Sequence, residues 1–339
     1  MKNNLPTESD QEGVLARLQA LLGKQRMPVS GRMRVHVIIN PAAGKDQPLL
    51  KIMNAAFRNA GVDWEVSVTR RAGDAFEIAR QAVLDGVDRV LVNGGDGTLR
   101  EVATALVGSL VPIAVIPGGT ANVFATEMGL PFDMAESCAL AINPSAKIIK
   151  IDMGQVGNEY FLTRTGTGVG TSMVEGADRN FKERLGVLAY ALAGLQALSD
   201  PPVARYFIKL DGEKEVITEG LMCLVANCGM IGTLGMRMAP NISATDNLLD
   251  ILVLRKADLS SMLSLAVSIA GSTNPPPDLL HWQVREAEID SDPQMTVQAD
   301  GDIIGATPVV ARILPQALNV VTPNPPPADL PAESSQEAS

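Results

Sequence analysis

The chain has 339 residues, 46% of them hydrophobic, with 38 acidic against 28 basic side chains and a formal net charge of −10. That length and composition favour two folded domains, and the negative balance argues against a protein that grips nucleic acid nonspecifically through its phosphates. Cys138, Cys223, Cys228, His36 and His281 are too few and too scattered for a zinc site or a disulfide scaffold, which fits a reducing compartment.

The polar, acidic start lacks the basic and apolar regions of a signal peptide, so a cytoplasmic location is expected. Residues 1–30 form a leader whose Val14, Leu15, Leu18, Leu21 and Leu22 lie on one helical face, suited to docking or to a membrane surface. From residue 31 to 147, apolar runs alternate with helical patterns. Strands are expected at 34–40, 63–69, 88–95 and 111–119, with helices at 48–61, 73–86 and 98–108 between them. Strands buried on both faces and joined by helices predict a mostly parallel, doubly wound sheet.

From 148 to 304 the rhythm changes to strands separated by turns, with helices near 183–198 and 258–271, and predicts a β-rich, mostly antiparallel domain. The apolar stretches 186–198 and 259–271 fall short of the about 18 residues needed to cross a bilayer. The first of them suits a core helix or an acyl-chain pocket. Residues 323–339, rich in Pro, Ser and Glu, read as a disordered tail.

Open α/β sheets bind ligands at the carboxyl ends of their strands. Three loops reach that edge with unusual chemistry: Asn40, Pro41, Ala42, Ala43, Gly44 and Lys45; Asn93 to Thr98; and Pro117 to Asn122. Gly94, Gly95 and Gly97 let backbone N–H groups approach an anion, and Thr98 stands where a helix is expected to begin, so its positive end adds to the field. Asp96 would repel a bare phosphate. It makes sense beside a divalent metal or a hydroxyl proton. The P-loop and the G-x-G-x-x-G signature are both absent.

At these residues the sequence resembles the diacylglycerol kinase catalytic family, which includes bacterial soluble lipid kinases, sphingosine kinases and ceramide kinases. The resemblance runs over about residues 33–322 and rests on IINPAAGK, VNGGDGTLREV and IPGGTANVFATEMGLP, in order and similarly spaced. It implies a phosphofructokinase-like nucleotide domain at 31–147, completed by about 305–322, and a lipid-binding β sandwich at 148–304. ATP and Mg2+ are the implied cofactors. A membrane lipid (diacylglycerol, ceramide or a sphingoid base) is the implied substrate, reached by peripheral contact with the membrane; no nucleic acid is expected, and a homodimer is left open.

Carried onto this chain, the resemblance puts Asn40 to Gly44 and Thr69 near the nucleotide. Gly94, Gly95, Asp96, Gly97, Thr98 and Glu101 surround the phosphates, with Lys45, Gly119 and Thr120 beside them. It gives Asp246 a magnesium ion, with Ser243 and Leu248 alongside. Its D-G-E triplet, whose glutamate is the proposed general base, reads Asp300, Gly301, Asp302 here. The chain departs from the family in that acid, and also at Arg100, Val123 and Asn247, where Asn, Asp and Gly are common. The shorter Asp302 must approach a hydroxyl more closely, which makes Asp96 its rival as base. A soluble-substrate kinase of the NAD kinase or phosphofructokinase type also fits a G-G-D-G loop, and Asp302 and Val123 motivate a second alternative, a lipid- or nucleotide-binding protein without catalysis.

Overall fold

A computed structural model describes residues 32–43, 49–168, 203–231, 236–239, 241–255 and 278–324. The leader helix, Gly44 and Lys45, the helices expected near 183–198 and 258–271, and the tail lie outside the described residues.

Strands β1 (Arg34–Ile39), β2 (Asp63–Val68), β3 (Arg89–Gly94) and β4 (Ile113–Pro117) pair in parallel in the order β2-β1-β3-β4. Helices α1 (Leu49–Ala60), α2 (Asp74–Leu84) and α3 (Asp96–Ala105) form the crossovers, and α4 (Val123–Glu127) and α5 (Met134–Ile142) follow β4. Side-chain alternation along β1 splits the core. Val35, Val37 and Ile39 pack with α1 and α5, while Ile38 faces α2, α3 and α4. Helix α1 supplies its side through Leu49, Ile52, Met53, Ala56, Phe57 and Ala60, spaced as one continuous stripe. Phe57 meets Trp64 edge to face at 5.2 Å.

Two of the sequence expectations are corrected. Strand β2 is not buried on both faces, because it is the edge strand of the sheet and alternates between half-buried and exposed. Helix α3 begins at Asp96, two residues before Thr98, with Gly95 as the extended residue that precedes it. Asp96 therefore sits in the first helical turn.

The second half contains β5 (Lys147–Val156), β6 (Glu159–Phe161), β7 (Arg164–Gly168), β8 (Ala204–Leu210), β9 (Lys214–Gly220) and β10 (Met222–Ala226). After the short β11 (Met230–Ile231) and β12 (Met236–Arg237) come β13 (Leu249–Leu254), β14 (Leu279–Val284), β15 (Glu286–Asp292), β16 (Thr296–Ala299), β17 (Asp302–Ala306) and β18 (Val309–Thr322). One antiparallel sheet runs β14-β13-β10-β7-β16-β17. It packs on β8 and β15 around Tyr206, Phe161, Ile251 and Ile289, which makes a sandwich.

The long strand β18 joins the two halves. It pairs along its length with β5, its first residues pair with β15, and Val320 pairs in parallel with Ile113 of β4. Gly108 donates to the Ala317 carbonyl at 2.8 Å and Asn319 to the Ser109 carbonyl at 3.0 Å, so the strand is stitched to the turn after α3 as well. Among the described residues no helix is long and apolar enough to cross a membrane.

Candidate active site

The three loops singled out in the sequence meet at the carboxyl edge of β1, β3 and β4. The Asn40 amide donates to the Asn93 carbonyl at 2.9 Å, and the Asn40 side chain donates to Thr98 Oγ1 at 2.8 Å while accepting from Ala42 N–H at 3.0 Å. Gly118 donates to the Gly94 carbonyl at 3.0 Å and the Asn93 side chain to the Ile116 carbonyl at 3.1 Å. Asn122, in left-handed backbone, closes the third loop by accepting from Gly119 N–H at 2.9 Å and donating to its carbonyl at 2.7 Å.

Glycine is required where these loops touch. A Cβ on Gly119 would fall 2.5 Å from Gly95 Cα, and one on Gly118 would fall 2.9 Å from Asn93 Nδ2. Gly97 and Thr120 are exposed at the same edge, and Pro41 and Ala42 are exposed in the first turn. Thr69 is buried at the end of β2 and donates its N–H to the Ile39 carbonyl at 2.9 Å. The edge thus presents backbone N–H groups, small residues and the positive end of α3 on a rigid frame, an arrangement that suits an anion.

Glu101 is placed differently from the other residues of its motif. Its two oxygens accept from Gly73 N–H at 2.9 Å and Ala75 N–H at 3.1 Å, at the start of α2, which has no side-chain cap of its own. The carboxylate spans two helices and stabilises the positive end of α2.

Asp96 faces the second half of the chain. Its Oδ1 accepts from Phe124 N–H at 3.3 Å. Burial raises its carboxyl above the ordinary aspartate value and Asp300 adds to this, while the N–H groups of Phe124 and Val123 and the Arg164 guanidinium act in the opposite direction. Arg164, at the start of β7, is the half-buried cation whose charge acts on Asp96, Asp300 and Glu127 alike; it donates to the Met230 carbonyl at 2.7 Å. Glu127, on α4, is buried, accepts from Met230 N–H at 2.8 Å and pairs with Arg237 at 3.3 Å. The Glu127–Arg237 ion pair and the Glu127–Met230 bond therefore tie α4 to the β11–β12 pair.

The two acids of the triplet have unlike surroundings. Asp300, at positive φ, accepts from the N–H groups of Leu162, Thr163 and Arg164 at 2.6, 2.9 and 3.0 Å and from Thr163 Oγ1 at 2.5 Å. It pins the β16–β17 turn to β7. Asp302 projects outward, and its Oδ2 pairs with Arg100 of α3.

The carboxylate of Asp246 accepts from Leu248 N–H at 3.0 Å and from Gln283 Nε2 at 3.4 Å. Burial pushes its carboxyl up to about 6, with Asp250 and Asp152 adding repulsion. Ser243 Oγ bonds Thr245 Oγ1 at 3.1 Å. Asp152 is buried and holds this loop to β18, accepting from Asn247 N–H and Gln316 N–H, both at 2.7 Å. Asp250 is buried too, bonded to His281 Nε2 at 2.5 Å, and its Oδ2 has no partner. Among the described residues no three His, Cys, Asp or Glu side chains are grouped to hold a metal. A site at Asp246 would rest on one carboxylate and main-chain carbonyls, hard oxygen donors that suit Mg2+ or Ca2+. A cation there would offset the burial, and the lesser repulsion, that raise Asp246.

Sequence reading missed Arg164, Glu127, Asp152 and the grip of Asp300. A lone charge inside a strand or helix that is otherwise buried, as in FLTRTGTG and VFATEMGL, was the available signal.

The family profile described as "Diacylglycerol kinase catalytic domain" matches residues 34–156, and that described as "YegS C-terminal NAD kinase beta sandwich-like domain" matches residues 164–322. A "Diacylglycerol kinase" of Bacillus subtilis is 29% identical over 297 residues, covering 86% of this chain and 96% of the relative. A "Probable lipid kinase YegS-like" protein of Klebsiella pneumoniae is 30% identical over 292 residues, covering 85% and 95%. A crystal structure titled as a diacylglycerol kinase from Bacillus anthracis superposes with a TM-score of 0.73 at 24% identity over 86% of this chain and 98% of that one, which supports the fold. With a 30% identical YegS-like relative matched along nearly its whole length and both domain profiles matched in order, the chain belongs to the diacylglycerol kinase catalytic-domain family and is a lipid kinase.

Proposed function

We propose that the protein transfers the γ-phosphoryl group of Mg–ATP to the hydroxyl of a membrane lipid, diacylglycerol being the first candidate because relatives carry that name. Residues 31–147, completed by 305–322, would hold the nucleotide, and residues 148–304 the lipid. The observation that carries the reading is the joined set of three strand-end loops, with Asp96 half-buried beside them and turned toward the second domain.

Phosphoryl transfer asks the protein mainly to position two substrates and neutralise charge. The N–H groups of Gly95 and Gly97 and the start of α3 would take the phosphate oxygens. Asp96 would accept the lipid proton. As the lipid O–H bond breaks, its oxygen forms the new bond to phosphorus, and the bond to the β–γ bridging oxygen breaks with its electron pair leaving on ADP. Its raised affinity for protons makes Asp96 a better acceptor than an ordinary surface carboxylate. Mg2+ would supply charge neutralisation at the phosphates, and a second cation at Asp246 would brace the loop behind β13.

The test is purified protein with Mg–ATP and a panel of diacylglycerol, ceramide, sphingoid base and a soluble acceptor, with products read by mass spectrometry. One lipid far ahead of the others is the expected result; phosphorylation of the soluble acceptor alone would overturn the lipid reading. Asp96→Asn should lose about 10²- to 10⁴-fold in kcat and also the acid limb of the rate profile, because the carboxylate works only when deprotonated. Near-normal turnover in that variant would remove Asp96 from the chemistry.

A further inference from the structure

Arg100 and Asp302 reach toward each other across the two halves of the chain. Asp96 and Arg100 stand four residues apart on α3 and so share one face, a single turn from each other. From that face Arg100 Nη2 pairs with Asp302 Oδ2 of β17, and Nη1 lies 3.9 Å from Glu159 Oε2 of β6. The arginine is the inner member of the group: its side chain is 15% exposed, against 63% for Asp302 and 56% for Glu159. Both acids hold its terminal nitrogens from the solvent side. Its Nε is buried and has no partner.

A buried guanidinium N–H without an acceptor is costly unless a ligand completes it. The missing partner must be an acceptor. With the glycine edge and Asp96 one turn away, an oxygen of the transferred phosphoryl group has the right chemistry, since a planar guanidinium suits phosphate. Asp302 is poorly placed for the other task. A lipid hydroxyl approaching Oδ2 would have to displace Arg100 first.

We propose that Arg100 contacts the phosphoryl group in transfer, and that Asp302 is the positioning residue that aims Arg100 and does not take the proton. This deepens the kinase reading and rests on it for the turnover tests. It leaves Asp96 as the proton acceptor and gives Glu159 a lesser share in holding the arginine. The charge that builds on the phosphoryl oxygens during transfer is met by a cation supplied from within the chain.

The experiment uses the full chain and two readouts. In calorimetry with the magnesium complexes of ADP and of a non-hydrolysable ATP analogue, Arg100→Asn should weaken the analogue about 10-fold or more and ADP by less than about 2-fold. Asp302→Asn should weaken the analogue by a smaller factor, about 3-fold, and Arg100→Lys should fall between Arg100→Asn and the unaltered protein. Equal losses for ADP and the analogue, or an unchanged analogue affinity in Asp302→Asn, would overturn the proposal. Thermal unfolding of each variant checks that it is folded, and the charge-keeping Arg100→Lys serves if Arg100→Asn is not.

In turnover with diacylglycerol in mixed micelles, Arg100→Asn should lose about 10²-fold or more in kcat, and Asp302→Asn about 10-fold, with its acid limb kept. The double variant should be no worse than Arg100→Asn, since the two residues act as one unit. If Asp302→Asn is as inactive as Asp96→Asn and loses the acid limb, Asp302 is the base and the proposal is wrong. If the unaltered protein phosphorylates no lipid yet shows the calorimetric pattern, the kinase reading fails and the Arg100 contact stands.

Discussion

Replacing Gly119 by alanine tests whether the glycine loops work as one body. The added methyl would fall 2.5 Å from Gly95 Cα and 2.9 Å from Asn122 Oδ1. Non-bonded carbons settle at about 3.5–4.0 Å, so the two loops must part by about 1 Å. The separation strains the Gly118–Gly94 bond at 3.0 Å and the Gly119–Asn122 bond at 2.9 Å. Overpacking of this kind costs about 1–3 kcal/mol. Where a bound phosphate depends on the spacing, a displacement of about 1 Å can cost about 10²-fold in rate. Gly97→Ala is the counterpart: no atom lies within 4 Å of its added methyl, and a helical Gly→Ala change stabilises by up to about 1 kcal/mol. Thermal unfolding with nucleotide calorimetry should show Gly119→Ala losing both stability and affinity, and Gly97→Ala losing affinity alone. Unchanged unfolding and affinity in Gly119→Ala would refute the argument that contact between the loops shapes the site.

Two other perturbations separate structural from functional carboxylates. Glu101→Gln should cost about 1 kcal/mol in denaturant unfolding, by weakening the charge-assisted bonds to Gly73 and Ala75; a fall in nucleotide affinity beyond that loss would return Glu101 to the phosphates. For Asp246, the folded carboxyl rises from 3.8 to about 6, so its contribution to stability is whole below about pH 4 and lost as the pH climbs through about 6. That displacement is worth at most about 3 kcal/mol, and partial exposure reduces it to about 1–2 kcal/mol. Asp246→Asn should therefore exceed the unaltered protein in stability at about pH 8 without divalent ions, match it at about pH 4, and lose its advantage when Mg2+ is added. An equal gain at both pH values would contradict the buried-charge account, and indifference to Mg2+ would contradict a cation at Asp246.

The N-terminal half was legible because its signals are local. Val35, Val37 and Ile39 alternate with residues of the opposite face, α1 carries its stripe within 12 residues, and each glycine loop follows its own strand. The start of α3 was displaced because Gly95, Asp96 and Gly97 read as a turn, and only the backbone bonds of α3 show Asp96 already helical. The site was half legible. Asn40, Asn93 and Thr98 could be listed but not joined, and Glu101 looked like a phosphate neighbour because its reach to Gly73 depends on how α2 and α3 pack. The pairs that matter most, Arg100 with Asp302 and Thr163 with Asp300, are separated by 202 and 137 residues. No period or motif reports a contact over that distance. The triplet of Asp300, Gly301 and Asp302 was visible; the four donors that hold Asp300 were not.

The way β18 knits into β4 bears on how the protein is made. Roughly 190 residues separate Pro117 from Val309, on the order of 10–40 s of synthesis at about 5–20 residues per second. Through that interval β4 waits on the ribosome with a bare edge, and an open strand edge is a template for other chains. The half of the molecule that emerges first is thus among the last to be finished. A nascent-chain series stalled before and after Val320 should show protease resistance of residues 34–142 appearing late, in step with the last strand and not with the exit of α5.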